Sequence, residues 1–158
     1  MARMTAPPAE TLAIRPLAEA DAADWRRLWT GYLDYYETQL PEKVYSTTFA
    51  RLLADDLREP RGLIALAGGR PVGLTHYIFH RHCWRIEDTC YLQDLYTAPE
   101  ARGQGVGRAL IEAVYTAADA AGCPSVYWLT QEFNYRGRML YDRVGVKSPF
   151  IRYNGPAG

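Results

Sequence analysis

Charge of one sign is missing from this sequence: 18 Lys and Arg balance 18 Asp and Glu, beside 3 His. A protein that grips nucleic acid broadly needs a basic surface to displace counterions, and this sum gives that class no support. Cysteine is scarce too. Cys83, Cys90 and Cys123 form neither a CxxC pair nor a disulfide framework, which suits reduced thiols in a cytosolic protein. One pairing stays open: a hairpin turn around Ile86 would set Cys83 across from Cys90. Long hydrophobic runs are absent as well. The longest, residues 62–67, falls far short of the roughly 20 residues a bilayer-spanning helix needs. Residues 1–10 lack the apolar core of a signal peptide, and Pro7-Pro8 among small residues suits a frayed tail. No cluster of metal-ligand type is visible. The expectation is a cytoplasmic chain with no membrane or nucleic-acid partner, residues 11–158 forming one domain.

What is present is an ordinary globular composition, 48% hydrophobic and 23% charged. Residues 11–17 alternate apolar and polar side chains, a first strand. Residues 21–37 carry Trp25, Leu28, Trp29, Tyr32, Leu33 and Tyr36 at three- and four-residue steps, one apolar helical face. Ser46 is placed to cap a second helix reaching about Arg58, with Phe49, Leu52, Leu53 and Leu57 inward. Residues 62–67 and 72–84 read as strands joined by a tight Gly68-Gly69 turn, and residues 89–97 as the next strand. A helix over residues 106–121 stops at Gly122 and Pro124. A strand at residues 125–130, a helix from Asn134 to Val144 and a last strand at residues 147–153 complete an α/β order.

The most informative stretch is residues 91–111, YLQDLYTAPEARGQGVGRALI. A strand runs into a loop holding Gly103, Gly105 and Gly107, then directly into a helix. Backbone N–H groups at the positive end of a helix make a ready site for a phosphate or pyrophosphate. Glycine matters there because a side chain would hold the anion away from the backbone. A Walker loop is excluded, since Gly107 is followed by Arg108 and Ala109 rather than Lys and Ser or Thr. A dinucleotide fingerprint fits poorly, since the glycines are spaced GxGxG and follow a late strand. What fits is Arg102-x-x-Gly105-x-Gly107.

On these residues the chain resembles the GNAT superfamily of N-acetyltransferases. Residues 91–111 look like its coenzyme A pyrophosphate motif. Residues 125–145, SVYWLTQEFNYRGRMLYDRVG, look like its next block, a strand followed by Asn and a helix ending in Leu-Tyr and Gly. The resemblance is closest to the branch acetylating polyamines, thialysine and histone-like lysines. It implies a single α/β domain with a mixed, mostly antiparallel sheet flanked by helices. It also implies splayed central strands that open a cleft for acetyl-CoA, and direct transfer to an amine without a covalent acetyl-enzyme; a thioester is reactive enough to need no metal.

Carried onto this sequence, the resemblance places the pantetheine arm and thioester along Leu95, Tyr96 and Thr97. The pyrophosphate would lie over Arg102, Gly103, Gln104, Gly105, Val106, Gly107 and Arg108, with Asn134 also touching the coenzyme. Tyr141 matches the tyrosine that protonates the leaving thiolate, a role that suits a phenol still protonated at neutral pH. Polyamine enzymes of that branch carry Glu where this chain has Gln93, which can position a water or an amine but cannot take a proton. Asp94, His80, His82 and Glu132 are the candidates to replace it. Asp34 and Glu37, in an aromatic and acidic run, join Asp94 as candidate binders of a small ammonium substrate. A polyamine or lysine analogue is the expected acceptor, with a protein lysine or a non-catalytic acyl-CoA sensor as alternatives. Phe150, Ile151 and Tyr153 make the last strand apolar, as a homodimer partner would require.

Overall fold

Runs of consecutively buried residues in residues 62–65 and 72–77 mark strands covered on both faces. The computed structural model describes residues 10–157, so the tail expected at the N-terminus lies almost wholly outside the described residues. Five strands follow in sequence order: β1 (Leu12–Pro16), β2 (Arg61–Ala67), β3 (Arg70–His80), β4 (Thr89–Thr97) and β5 (Val126–Tyr127). The first three junctions are antiparallel and the last, β4 with β5, is parallel. Between β2 and β3, Gly68 and Gly69 take φ of 55° and 80°, the left-handed pair that closes a two-residue hairpin without splaying its strands.

Helices α1 (Ala22–Tyr35) and α2 (Glu42–Leu53) cover one side of this sheet, and α3 (Val106–Ala120) packs on β3 and β4 from the other. Trp25, Leu28, Trp29 and Leu33 of α1 meet Ile64 and Leu74 in a shared core. The apolar stripe of α3 buries Val106, Leu110, Ile111 and Val114. Gly73 is required where these layers meet, because a Cβ there would stand 2.8 Å from the Tyr96 carbonyl oxygen and 2.9 Å from Val106. The chain forms two compact units, one ending at Trp128 and one beginning at Leu129. The second contains α4 (Tyr135–Val144), opened by the Asn134 carbonyl oxygen Oδ1 accepting from the Gly137 N–H at 3.2 Å. No helix among the described residues is long and apolar enough to cross a membrane.

Several expectations need correction. Helix α2 begins at Glu42, straight after Pro41, and Ser46 lies inside it with its hydroxyl donating to the Lys43 carbonyl at 3.2 Å. The helix stops at Leu53, leaving Leu57 71% exposed rather than inward. Strand β3 ends at His80, because the chain turns where the Trp84 N–H donates to His82 Nδ1 at 3.1 Å. Cys90 is opposite Phe79 in the ladder and Cys83 lies beyond the strand, exposed; both are free thiols, not a pair. Strand β5 is shorter than residues 125–130, since its pairing with β4 ends at Tyr91 and Tyr127. Residues 147–153 form no strand. Nothing among the described residues supplies them with a ladder.

Candidate active site

Strand β4 carries the site, and an irregularity in its pairing creates it. His76 pairs with Asp94 but the next residue, Tyr77, pairs with Leu92, so Gln93 is an extra residue, a β-bulge. Bulges bend a strand and re-aim its side chains. Gln93 is exposed here while its neighbours Leu92 and Asp94 are buried. The Thr75 hydroxyl donates to the Asp94 carbonyl at 2.8 Å and anchors the strand just past the bulge. On its other edge, β4 pairs with β5 only at Cys90 and Tyr91, then runs on to Thr97 without it.

That open edge is furnished with backbone polar groups. The Ala98 N–H donates to the Val72 carbonyl at 2.7 Å, which turns Ala98, and by alternation Tyr96, toward β3. Leu95 and Thr97 therefore direct their N–H and C=O groups to the open side, the arrangement an extended amide-bearing ligand needs. The Tyr96 ring points instead toward α1, close against Gly31, where a Cβ would overlap its hydroxyl. Of the strand residues predicted to hold the coenzyme, Leu95 and Thr97 offer backbone to the open edge and Tyr96 supports the wall behind them.

Downstream, the chain bends through Pro99–Ala101 and enters the glycine loop. Gly103 and Gly105 have φ of 76° and 82°, and no atom lies within 4 Å of where a Cβ would stand on either. Gly105 is the N-cap of α3 and has no side chain to accept from the helix. The first intrahelical bond is Ala109 N–H to Gly105 C=O at 3.0 Å, so the N–H groups of Val106, Gly107 and Arg108 lie ahead of the helical ladder. Open space over unclaimed donors at a positive helix end is an anion cradle. Arg102 and Gln104 bond weakly to the Thr97 and Glu100 carbonyls, each at 3.4 Å, and Arg108 pairs with Glu112 at 2.9 Å.

The polar centre lies beside the bulge, toward α1. Asp94 Oδ2 is 2.8 Å from His76 Nδ1, and His76 Nε2 accepts from the Trp25 indole N–H at 2.9 Å. An indole N–H only donates, so Nε2 must be the unprotonated nitrogen and Nδ1 carries the hydrogen toward Asp94. The ring is therefore neutral and the carboxylate is the acceptor. Burial, then the adjacent Asp94 charge, push the Tyr32 hydroxyl well above the usual tyrosine range. Burial is also the main cause raising Tyr36, whose ring meets Tyr32 at 5.1 Å. Both phenols stay protonated donors. Tyr91 stacks on Tyr127 at 4.9 Å and extends this aromatic wall along the strands.

The other candidates divide by position. Asp34 and Glu37 are exposed, and Asp34 is two residues from Tyr32, off the face that meets Asp94. His80 bonds the Arg81 carbonyl and the Tyr127 hydroxyl, each at 2.8 Å, and His82 is held by its own turn. In the second unit, Asn134 caps α4 and bonds Thr130 at 2.9 Å, Tyr141 lies within α4, and the Glu132 carbonyl accepts from Arg138 at 2.7 Å. His76 and Trp25 are the site residues the sequence reading passed over. A lone histidine inside the apolar run of β3 is the only signal they gave.

Comparison with known proteins bears on the family and the fold. The profile of the acetyltransferase (GNAT) family matches residues 25–146. The D-amino-acid N-acetyltransferase of Saccharomyces cerevisiae is 36% identical over 146 residues, covering 91% of this chain and 90% of that protein. The thialysine N-epsilon-acetyltransferase of Bos taurus is 34% identical over 76 residues, 48% of this chain and 44% of the relative. A crystal structure of a probable acetyltransferase superposes with a TM-score of 0.81 at 21% identity, covering 92% of this chain and 98% of that one. An aminoglycoside acetyltransferase from an uncultured soil metagenomic sample does so at 0.78 and 17%, covering 93% and 97%. The chain belongs to the GNAT acetyltransferase family and is an enzyme of acetyl transfer.

Proposed function

We propose that this enzyme moves an acetyl group from acetyl-CoA directly to the primary amine of a small, positively charged molecule. The observation that carries the reading is Asp94. The residue is 7% exposed, and no Lys or Arg among the described residues forms an ion pair with its carboxylate. A buried negative charge held only by neutral groups is costly, and an incoming ammonium would supply the missing countercharge. The relatives named for D-amino acids and for thialysine both act on small amines, which favours an amino-acid-like acceptor over a protein lysine.

In this reading the thioester lies along the open edge of β4 at Leu95 and Thr97, with its pyrophosphate over residues 103–108. The amine, once deprotonated, attacks the thioester carbonyl through its nitrogen lone pair. As the bond forms, positive charge builds on nitrogen beside Asp94, and such a fixed charge lowers the barrier. Collapse breaks the carbon–sulfur bond. The thiolate takes the Tyr141 proton, which the released ammonium proton later replaces through solvent. Gln93, exposed at the bulge, orients the amine or a water and takes no proton. The balance is amide, free coenzyme A and one proton released to water.

The exposed side chains of Phe150, Ile151 and Tyr153 suit coverage by a second copy of the chain, a homodimer that light scattering would detect. The test of the reaction is coenzyme A release, followed with a thiol reagent, across D- and L-amino acids, thialysine, spermidine, an aminoglycoside and a histone-tail peptide. Turnover on one small amine that falls at least about tenfold in Tyr141→Phe is the expected result. Turnover on the peptide alone, or an undiminished Tyr141→Phe, would overturn the acceptor or the acid assignment respectively.

A further inference from the structure

We propose that Trp25 and His76 form a lock that keeps the imidazole neutral, so that Asp94 keeps its full negative charge for the substrate amine. The inference rests on the ammonium-binding reading of Asp94. The argument is one of donors and acceptors. A histidine bonded to a buried carboxylate ordinarily gains by taking a second proton, because the pair then becomes an ion pair. Here that proton would have to sit on Nε2, which faces the Trp25 N–H at 2.9 Å. Two donors would then confront each other where both residues are buried, at a cost comparable to leaving both unsatisfied.

The surroundings tighten the lock. Trp25 cannot swing away, since its ring stacks on Trp29 at 5.1 Å and packs on Phe49 at 4.9 Å. Trp29 also meets the imidazole edge-on at 5.6 Å. The titratable groups around the ring are Asp94 from β4, Tyr32 from α1 through that carboxylate, and Tyr45 from α2 beyond the two indoles. Arg26 lies over the Tyr45 ring, 4.4 Å from its centre, and ion-pairs with Glu42. None of these offers Nε2 an acceptor.

The relay is graded in exposure. The His76 side chain is 4% exposed and that of Asp94 10%, so the accessible end is the carboxylate. Oδ2 is committed to His76, and the Tyr32 hydroxyl also donates toward the carboxylate. His76 is therefore a positioning residue. It fixes the orientation of the carboxylate, and through Trp25 it stays unable to cancel the charge. An enzyme built this way keeps its amine affinity as the solution becomes more acidic.

Three variants test the lock. His76→Leu removes the donor and is expected to raise the amine KM about 10- to 100-fold with the acetyl-CoA KM unchanged. His76→Asn, whose amide nitrogen sits near the position of Nδ1, should restore most of that loss. Trp25→Phe keeps the ring and removes the N–H, so the imidazole is free to protonate. Its amine KM should match wild type at pH about 8 and rise as pH falls through the imidazole range, where wild type stays flat. Nitrogen NMR of the ring reads the lock without turnover: wild-type His76 stays singly protonated at Nδ1 on acidification, and Trp25→Phe gains the second proton. Doubly protonated wild-type His76 would overturn the lock. So would equal KM profiles for wild type and Trp25→Phe. If no amine is turned over by wild type yet the NMR result holds, the acceptor reading fails and the lock stands.

Discussion

The two sides of the sheet are built on different physics. Toward α3, the helix contributes a hydrocarbon stripe of Val106, Leu110, Ile111 and Val114 packed on β3 and β4. Toward α1 and α2, the buried layer is aromatic and polar, with Trp25, Trp29, Tyr45, His76 and Asp94 among its members. It even contains an indole N–H, that of Trp29, with no acceptor among the described residues. A dry interface contributes stability in proportion to area and tolerates no polar defect. A polar one contributes little net stability but holds each group in one orientation. The difference predicts that substitutions on the α3 side change folding and those on the α1 side change catalysis.

The largest stability effect should come from Leu110→Ala, at a fully buried position between α3 and Gly73. Urea unfolding should show a loss of about 3–4 kcal/mol, the usual cost of a core leucine truncation. The amine KM should not move in the fraction that stays folded. An altered KM would mean that the two sides are mechanically coupled.

Asp94→Asn should produce the opposite pattern. The substitution keeps shape and removes a buried charge that lacks a cationic partner, so stability should hold or rise slightly. The kcat/KM for the amine should fall about 100-fold, the loss of one charge-assisted contact in the transition state. A stability loss above about 2 kcal/mol with unchanged kinetics would reassign Asp94 to structure.

How far the sequence could be read follows the same division. The α3 side was legible because its information is periodic: spacing within residues 106–121 gave the stripe, and Gly105 gave the helix start. The hairpin at Gly68-Gly69 was equally local. The α1 side depends on which strand residues face each other, and only the register sets His76 against Asp94. A bulge at Gln93 shifts that register by one, a change no alternation pattern announces. Trp25 is farther still, 51 positions from the histidine it bonds. The missing last strand has the same cause: residues 147–153 have strand composition, but a strand also needs an edge to join.

A smaller effect is expected where the α1 side begins. Asp21 accepts from both terminal guanidinium nitrogens of Arg15, at 2.6 and 2.8 Å, and from the Ala18 N–H at 2.8 Å. Chiefly through the Arg15 bond, its carboxyl is held below the usual aspartate range. A lowered folded-state pKa gives stability that is fully present above the unfolded value and lost as pH falls through the folded one. Asp21→Asn should therefore cost about 1 kcal/mol at pH 7, reduced by the partial exposure of Arg15. The gap from wild type should close under acid, below the ordinary aspartate range. A gap that persists there would show that the Asp21 side chain works through shape, not charge.

The smallest effect lies at the other end of α1. Thr38 N–H bonds the Leu33 carbonyl and Glu37 N–H bonds the Asp34 carbonyl, each at 3.0 Å, the paired bonds of a Schellman cap. That cap puts Glu37 at φ 52°, a left-handed position where glycine is the unstrained residue. Glu37→Gly relieves the clash of Cβ with the backbone but adds freedom to the unfolded chain, so the net gain should be only about 0.5–1 kcal/mol. Strain at such a position survives when the side chain does something the cap does not need. Glu37 is exposed, and if it guides an ammonium toward Asp94, its solvent-screened charge should change the amine KM by no more than about threefold on removal. Calorimetry and amine kinetics on the one variant separate the outcomes. A rise in Tm with a small KM increase makes Glu37 an outer electrostatic guide to Asp94, and a rise in Tm with no kinetic change confines the acceptor site to the buried carboxylate.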